Sequence, residues 1–136
     1  MASLLAYWEF GWLPAKVESF MWRQLKAAYK IDHFAMVSSR PDPDNVIKFE
    51  SMETAVQEYG GTPVFLIPNY GHDLQTFHHP EDATYIVGNA YKSNVELAKS
   101  MTCQIVKIPT PKNVDFFAVN AAATVLYDRM LKCPQI

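Results

Sequence analysis

The chain has 136 residues, 49% of them apolar and 19% charged, with a formal net charge of −2. This matches one ordinary domain with a real core and is too short for two typical ones. It also lacks the basic excess of a dedicated nucleic-acid binder, so any polyanion must be met by a local patch.

The opening MASLLAYWEFGWLPAK is greasy, but it has no positive leading region, carries Glu9 inside the apolar run, and places Gly11 and Pro14 where a signal or membrane helix would continue. Neither a targeting segment nor a membrane span is expected. Residues 1–30 read as an N-terminal segment, in which Trp8 and Trp12 cover apolar surface or meet a partner, followed by an amphipathic helix from Pro14 to about Tyr29. Val17, Phe20, Met21, Leu25 and Ala28 recur at helical spacing. Lys16, Arg23, Lys26 and Lys30 share about a quarter of the same helix's circumference. Such a basic stripe is either a solvated face or a strip that contacts phosphates.

HFAMVSS reads as a strand and RPDPDN as the loop after it, and a helix from about Phe49 to Tyr59 stops at Gly60-Gly61. TPVFLIPN is a strand whose apolar residues are continuous, as expected when both faces are buried. A short helical or irregular piece leads to HHPED. This loop has metal-ligand residue types, but adjacent histidines rarely converge on one ion, and a solvated loop is the expectation. ATYIVGN is a strand, SNVELAKSM a helix, CQIVKIP a strand, and the last helix runs from about Phe116 to Leu131. Alternating strands and helices predict one α/β domain, a parallel sheet flanked by helices. Cys103 and Cys133 fit neither a disulfide framework nor a CxxC pair, and read as reduced thiols in a cytoplasmic protein.

In such sheets ligands sit outside the carboxyl ends of the strands. Strands here end in Ile67-Pro68-Asn69, Gly88-Asn89-Ala90 and Ile108-Pro109-Thr110, where a glycine or a proline-fixed turn permits close backbone approach. Either these residues only terminate strands, or they line a ligand held by main-chain groups. Asp115 is a helix N-cap or a base beside that ligand. No Ser-His-Asp pattern, P-loop or GxGxxG is present.

YIVGNA (85–90), KIPTP (107–111) and AAATVLYD (121–128) follow one another as strand, strand, loop and helix. In order and spacing they resemble the SpoU branch of the SPOUT RNA methyltransferases, whose signature runs Gly-x-Glu, Ile-Pro-Met, then Ser-Leu-Asn opening an alanine-rich helix that ends in Leu-Tyr-Glu. PDNVIKF with Asn45, TAVQEYGG and TPVFLIPN are similar to earlier parts of that pattern, so the resemblance covers roughly 33–131. It implies a C-terminal trefoil knot, S-adenosylmethionine as cofactor, a homodimer, and structured RNA as partner, met here by the Lys16, Arg23, Lys26 and Lys30 patch. The general rule against knotted chains gives no such expectation. The implied cofactor residues are Ile67, Pro68, Gly88, Asn89, Ile108, Pro109, Asp115 and Phe116.

The diagnostic side chains depart from the pattern. The family's Glu falls on Ala90, its Ser-Leu-Asn on Asp115, Phe116 and Phe117, and its helix arginine on Ser51. Taking a proton from a ribose hydroxyl needs a positioned base or a charge that favours the alkoxide. Arg40, Asn45 and Lys48 are the candidate catalytic residues, with Arg40 or Lys48 in the arginine's role. The sequence leaves open a ribose 2'-O-methyltransferase, a knotted dimer that binds without catalysing, and a small flavodoxin-like ligand binder.

Overall fold

The computed structural model describes residues 2–8, 14–37, 48–89, 93–112 and 116–133. Its strands are β1 (Ser3–Tyr7), β2 (His33–Val37), β3 (Lys48–Phe49), β4 (Thr62–Leu66), β5 (His72–Asp73), β6 (Ala83–Val87) and β7 (Gln104–Lys107). They form one sheet in the order β3-β2-β1-β6-β4-β7-β5, every neighbouring pair parallel. The helices are α1 (Ala15–Ala28), α2 (Met52–Tyr59), α3 (Val95–Lys99) and α4 (Ala118–Lys132).

The continuous apolar runs explain the layering. Side chains alternate between the faces of a strand, so Leu4, Ala6, Val64, Leu66, Tyr85 and Val87 pack with Trp22 of α1 and with Ala118, Ala122, Val125 and Leu126 of α4. Leu5, Ala35, Phe65 and Ile86 face the other way, against Met52, Ala55 and Val56 of α2 and Ala98 of α3. The expected parallel α/β sheet flanked by helices is present. The small residues Ala118 and Ala122 are buried where α4 lies on the sheet.

The N-terminal segment corrects one expectation. Residues 3–7 are not a cover before the first helix but a strand in the middle of the sheet, paired to β2 on one side and β6 on the other. Leu4, Leu5 and Ala6 are fully buried and Trp8 almost so. Like TPVFLIPN the run is buried on both faces, but no glycine or proline closes it after Tyr7, so its end carried no strand signal.

The buried face of α1 also differs from the expected stripe. Val17 and Phe20 are 47% and 55% exposed, and Ala28 is exposed as well, while Glu18, Ser19 and Trp22 are buried. The Trp22 indole N–H donates to the Glu18 carboxylate at 3.1 Å, which gives this acid a partner inside and lets it take an apolar position. The helix turns so that Trp22 stacks on Phe34 of β2. Lys16, Arg23, Lys26 and Lys30 are all exposed, as a surface stripe requires.

α2 begins at Met52 rather than Phe49, because Lys48 and Phe49 pair with Met36 and Val37 as a short strand. It ends at Gly60-Gly61 as its glycines predict. Gly61 has φ +71°, and a Cβ there would lie 2.5 Å from the Asp82 carbonyl oxygen. Cys103 and Cys133 are free thiols. Among the described residues no helix is long and apolar enough to cross a membrane.

Candidate cofactor edge

Because every strand is parallel, all carboxyl ends share one edge. Leu66 of β4 pairs with Val87 of β6 on one side and Val106 of β7 on the other. The residues that follow, Ile67, Gly88 and Lys107 with Ile108, therefore stand side by side where the three central strands run out. The Ile67 N–H continues the ladder by donating to the Val106 carbonyl at 3.1 Å. Sequence spacing alone could not place these segments together, and the register does.

Their side chains and main chains have different roles. Ile67 is 5% exposed and buries its side chain in the α2/α3 core, and Ile108 packs against the opposite core. Pro68 and Pro109 are exposed, while Gly88 and Asn89 are half-buried. The turn after Ile67 is built from Asn69 at φ +60° and Gly71 at φ +105°. A Cβ on Gly71 would lie 2.6 Å from the Ile105 carbonyl oxygen, so the turn is pressed onto β7 in a conformation suited to glycine. Among the described residues this edge brings together the main chain at Ile67, Gly88 and Ile108, with the Lys107–Asp73 ion pair at the ends of β7 and β5.

Two contacts clasp the chain after β6 onto β1. The Asn89 side-chain amide donates to the Trp8 carbonyl. The Tyr7 hydroxyl donates to Asn94 Oδ1 at 3.3 Å, and burial raises the Tyr7 pKa, so the phenol keeps its proton. Phe116, 44% exposed, stands just before α4. Arg40, Asn45 and Asp115 lie outside the described residues. Lys48 has its backbone in β3, and its side chain is also outside what is described. Ser51, where the family pattern has its arginine, caps α2: its side chain accepts from the Thr54 N–H at 3.2 Å.

A second polar cluster lies at the other end of β6, and the reading of HHPED as a solvated loop is corrected there for His79. The His79 side chain is fully buried. Its Nδ1 lies 2.7 Å from the Tyr85 hydroxyl and its Nε2 2.7 Å from Asp128 Oδ2. Arg129 donates to the Pro80 and Glu81 carbonyls and to the Tyr85 oxygen, and Lys132 meets Asp128 at 2.9 Å while donating to the Leu74 and Phe77 carbonyls. One neutral tautomer satisfies the chain: Tyr85 O–H donates to Nδ1, and Nε2–H donates to Asp128. Burial lowers the His79 pKa against the opposing pull of Asp128, which keeps the ring neutral. Burial likewise pushes the Tyr85 phenol up to about 12, the nearby Arg129 only partly offsetting it.

This network ties the segment before β6 to the last turns of α4. The signal for it was present in α4, where Ala118, Ala122, Val125 and Arg129 follow one stripe and the arginine occupies a core position. A cavity of about 520 Å³ opens beside it, with His79, Lys132 and Cys133 in its wall. Both ring nitrogens of His79 are already engaged, so the ring has no free nitrogen to activate Cys133. Among the described residues no group of three or more His, Cys, Asp and Glu side chains is placed to hold a metal ion.

No protein-family model and no curated protein matches this chain. Solved structures do match. A proposed RNA methyltransferase from Bacillus anthracis superimposes with a TM-score of 0.72 at 14% identity, over 97% of this chain and 94% of that one. A structure that addresses 2-OH methylation of C/U34 on tRNA gives 0.71 at 15% identity, over 99% and 92%. The AdoMet-bound rRNA methyltransferase from Sinorhizobium meliloti gives 0.65 at 13% identity, over 98% of this chain and 56% of its own length. These likenesses extend beyond the 33–131 span of the sequence resemblance, and they take in β1 and α1. The chain therefore has the fold of these RNA methyltransferase structures, a TrmH-family protein and a TrmJ among them.

Proposed function

We propose that the chain binds S-adenosylmethionine at the carboxyl edge of β6, β4 and β7 and acts as an RNA methyltransferase-like protein of the ribose 2'-O type. The observation that carries this reading is the convergence of Ile67, Gly88 and Ile108 on one edge by strand register. It occurs on a fold shared with an AdoMet-bound rRNA methyltransferase. The chain from Gly88 to α4 forms the trefoil knot of that family, and the cofactor sits among its loops, held by the main chain. Methyl transfer would then depend on holding the sulfonium carbon and the attacking ribose oxygen in line.

Two copies assemble through α4. Tyr127, Met130 and Leu131 are 51%, 43% and 60% exposed there, an apolar excess that a two-fold contact would bury. RNA lies along the exposed Lys16, Arg23, Lys26 and Lys30 stripe, and the protein works in the cytoplasm. A second reading, a knotted dimer that binds without catalysing, is favoured by one observation: Ser51 stands in the arginine's place and is engaged as a helix cap.

Calorimetric titration with S-adenosylmethionine and S-adenosylhomocysteine tests the cofactor reading, with Gly88→Val as the variant that fills the space of close approach. Wild type binds and the variant does not. If wild type takes up neither compound, the cofactor reading fails. Binding without transfer of labelled methyl to RNA selects the second reading over the first.

A further inference from the structure

Asn94 is a buried polar residue on the chain that leaves the candidate edge. It is 4% exposed, its Oδ1 accepts from Tyr7, and its Nδ2 has no hydrogen-bond partner among the described residues. A buried amide donor left unpaired is costly and uncommon. The strand register fixes where this one sits. β1 and β6 pair Ala6 with Val87, which sets Tyr7 beside Gly88. Asn94, on the chain that leaves Gly88, is tied to this end of β1 through the Tyr7 hydroxyl.

The clasp makes the amide rigid. Asn89 on Trp8 and Asn94 on Tyr7 fasten both ends of the chain from β6 to α3 onto β1. With Oδ1 committed to the phenol, Nδ2 is the end left to act, and it can only donate. The strongest acceptor on S-adenosylmethionine is the carboxylate of its methionine part. Lys107, the cation at the end of β7, pairs with Asp73 at 3.5 Å.

We propose that Asn94 Nδ2 donates to the carboxylate of the methionine part of the bound cofactor, with Tyr7 as the residue that orients it. This rests on the cofactor reading above. The amide side chain, not the short helix that follows it, is the recognition element.

Two ligands separate the possibilities: S-adenosylhomocysteine, which keeps the amino-acid part, and 5'-methylthioadenosine, which lacks it. Wild type should bind both. Asn94→Ala and Asn94→Asp should each weaken S-adenosylhomocysteine by about tenfold or more, the aspartate further through repulsion, and leave 5'-methylthioadenosine within about twofold. Undiminished binding of the nucleoside also shows that each variant has folded. Tyr7→Phe, which keeps the ring and removes the orienting hydroxyl, should give a smaller loss with the same selectivity. Equal losses on both ligands would show a structural role and overturn the proposal, as would no loss on S-adenosylhomocysteine. Failure of wild type to bind either compound would instead remove the cofactor reading, and this proposal with it.

Discussion

Replacing His79 by alanine removes the hub that joins β6 to α4. The substitution deletes a hydrogen bond to the Asp128 carboxylate and the acceptor of the Tyr85 hydroxyl, both at 2.7 Å. A bond to a charged group contributes about 1.5–3 kcal/mol and a neutral one about 0.5–1.5. Asp128 keeps Lys132 at 2.9 Å, and Arg129 keeps its carbonyl partners, so the charges left behind are still paired. The expected loss is about 3 kcal/mol, or roughly 10 °C in Tm for a domain of this size. Urea and thermal unfolding followed by circular dichroism measure it.

The same residue sets an acid limb. The folded His79 pKa is lowered, so the unfolded chain takes up the proton first. Stability from this group is complete above the unfolded value of about 6.5 and falls as pH drops through it toward the lowered folded value. Protonation would also leave the Tyr85 hydroxyl without its acceptor. Wild type should lose stability below about pH 6.5 more steeply than His79→Ala. A loss below about 1 kcal/mol in the variant, or parallel acid limbs in the two proteins, would refute the reasoning.

Gly71→Ala should destabilise by about 1–3 kcal/mol in urea titrations, because φ is +105° and the new methyl meets the Ile105 carbonyl at 2.6 Å. Ser51→Ala removes the cap on α2 and should cost about 1 kcal/mol; a fall in methyl transfer beyond that shared with other equally destabilised variants would show that Ser51 has a further role. Arg40→Ala and Lys48→Ala should leave calorimetric cofactor binding unchanged and lower any transfer of labelled methyl to RNA. Robust transfer by both variants would place the catalytic group elsewhere. Leu131→Asp, at a position 60% exposed on the face assigned to the second copy, should shift the light-scattering mass from dimer to monomer without changing the circular dichroism spectrum.

The parts of the fold legible in the sequence are those whose pattern is local. TPVFLIPN, ATYIVGN and CQIVKIP are apolar runs closed by proline or glycine, and Gly60-Gly61 ends a helix by backbone conformation alone. β1 was not legible, because no proline or glycine closes SLLAY and the run continues through Trp8, Glu9 and Phe10. β3 and β5, two residues each, exist only through pairing with distant strands. The candidate edge was legible as loop chemistry, but its assembly depended on register. The His79 network was not, since its members come from a loop, a strand and a helix, and only Arg129 broke a local pattern. Asn94 read only as a residue that could start the helix SNVELAKSM, and its bond to Tyr7 was not legible.

The central place of β1 also constrains how the chain comes off the ribosome. Ser3 pairs with His33 on one side but with Thr84 on the other. The half-sheet of β1, β2 and β3 can form early, yet its β1 edge, Leu4-Leu5-Ala6, then stays open until β6 has been made. At about 5–20 residues per second, the roughly fifty residues between those partners take about 3–10 s to synthesise. For that interval the nascent protein presents a flat, apolar, unpaired edge, the kind of surface that recruits foreign strands. Faster translation, or a chaperone that covers β1, should therefore raise the soluble yield, whereas a pause introduced between residues 40 and 80 should lower it.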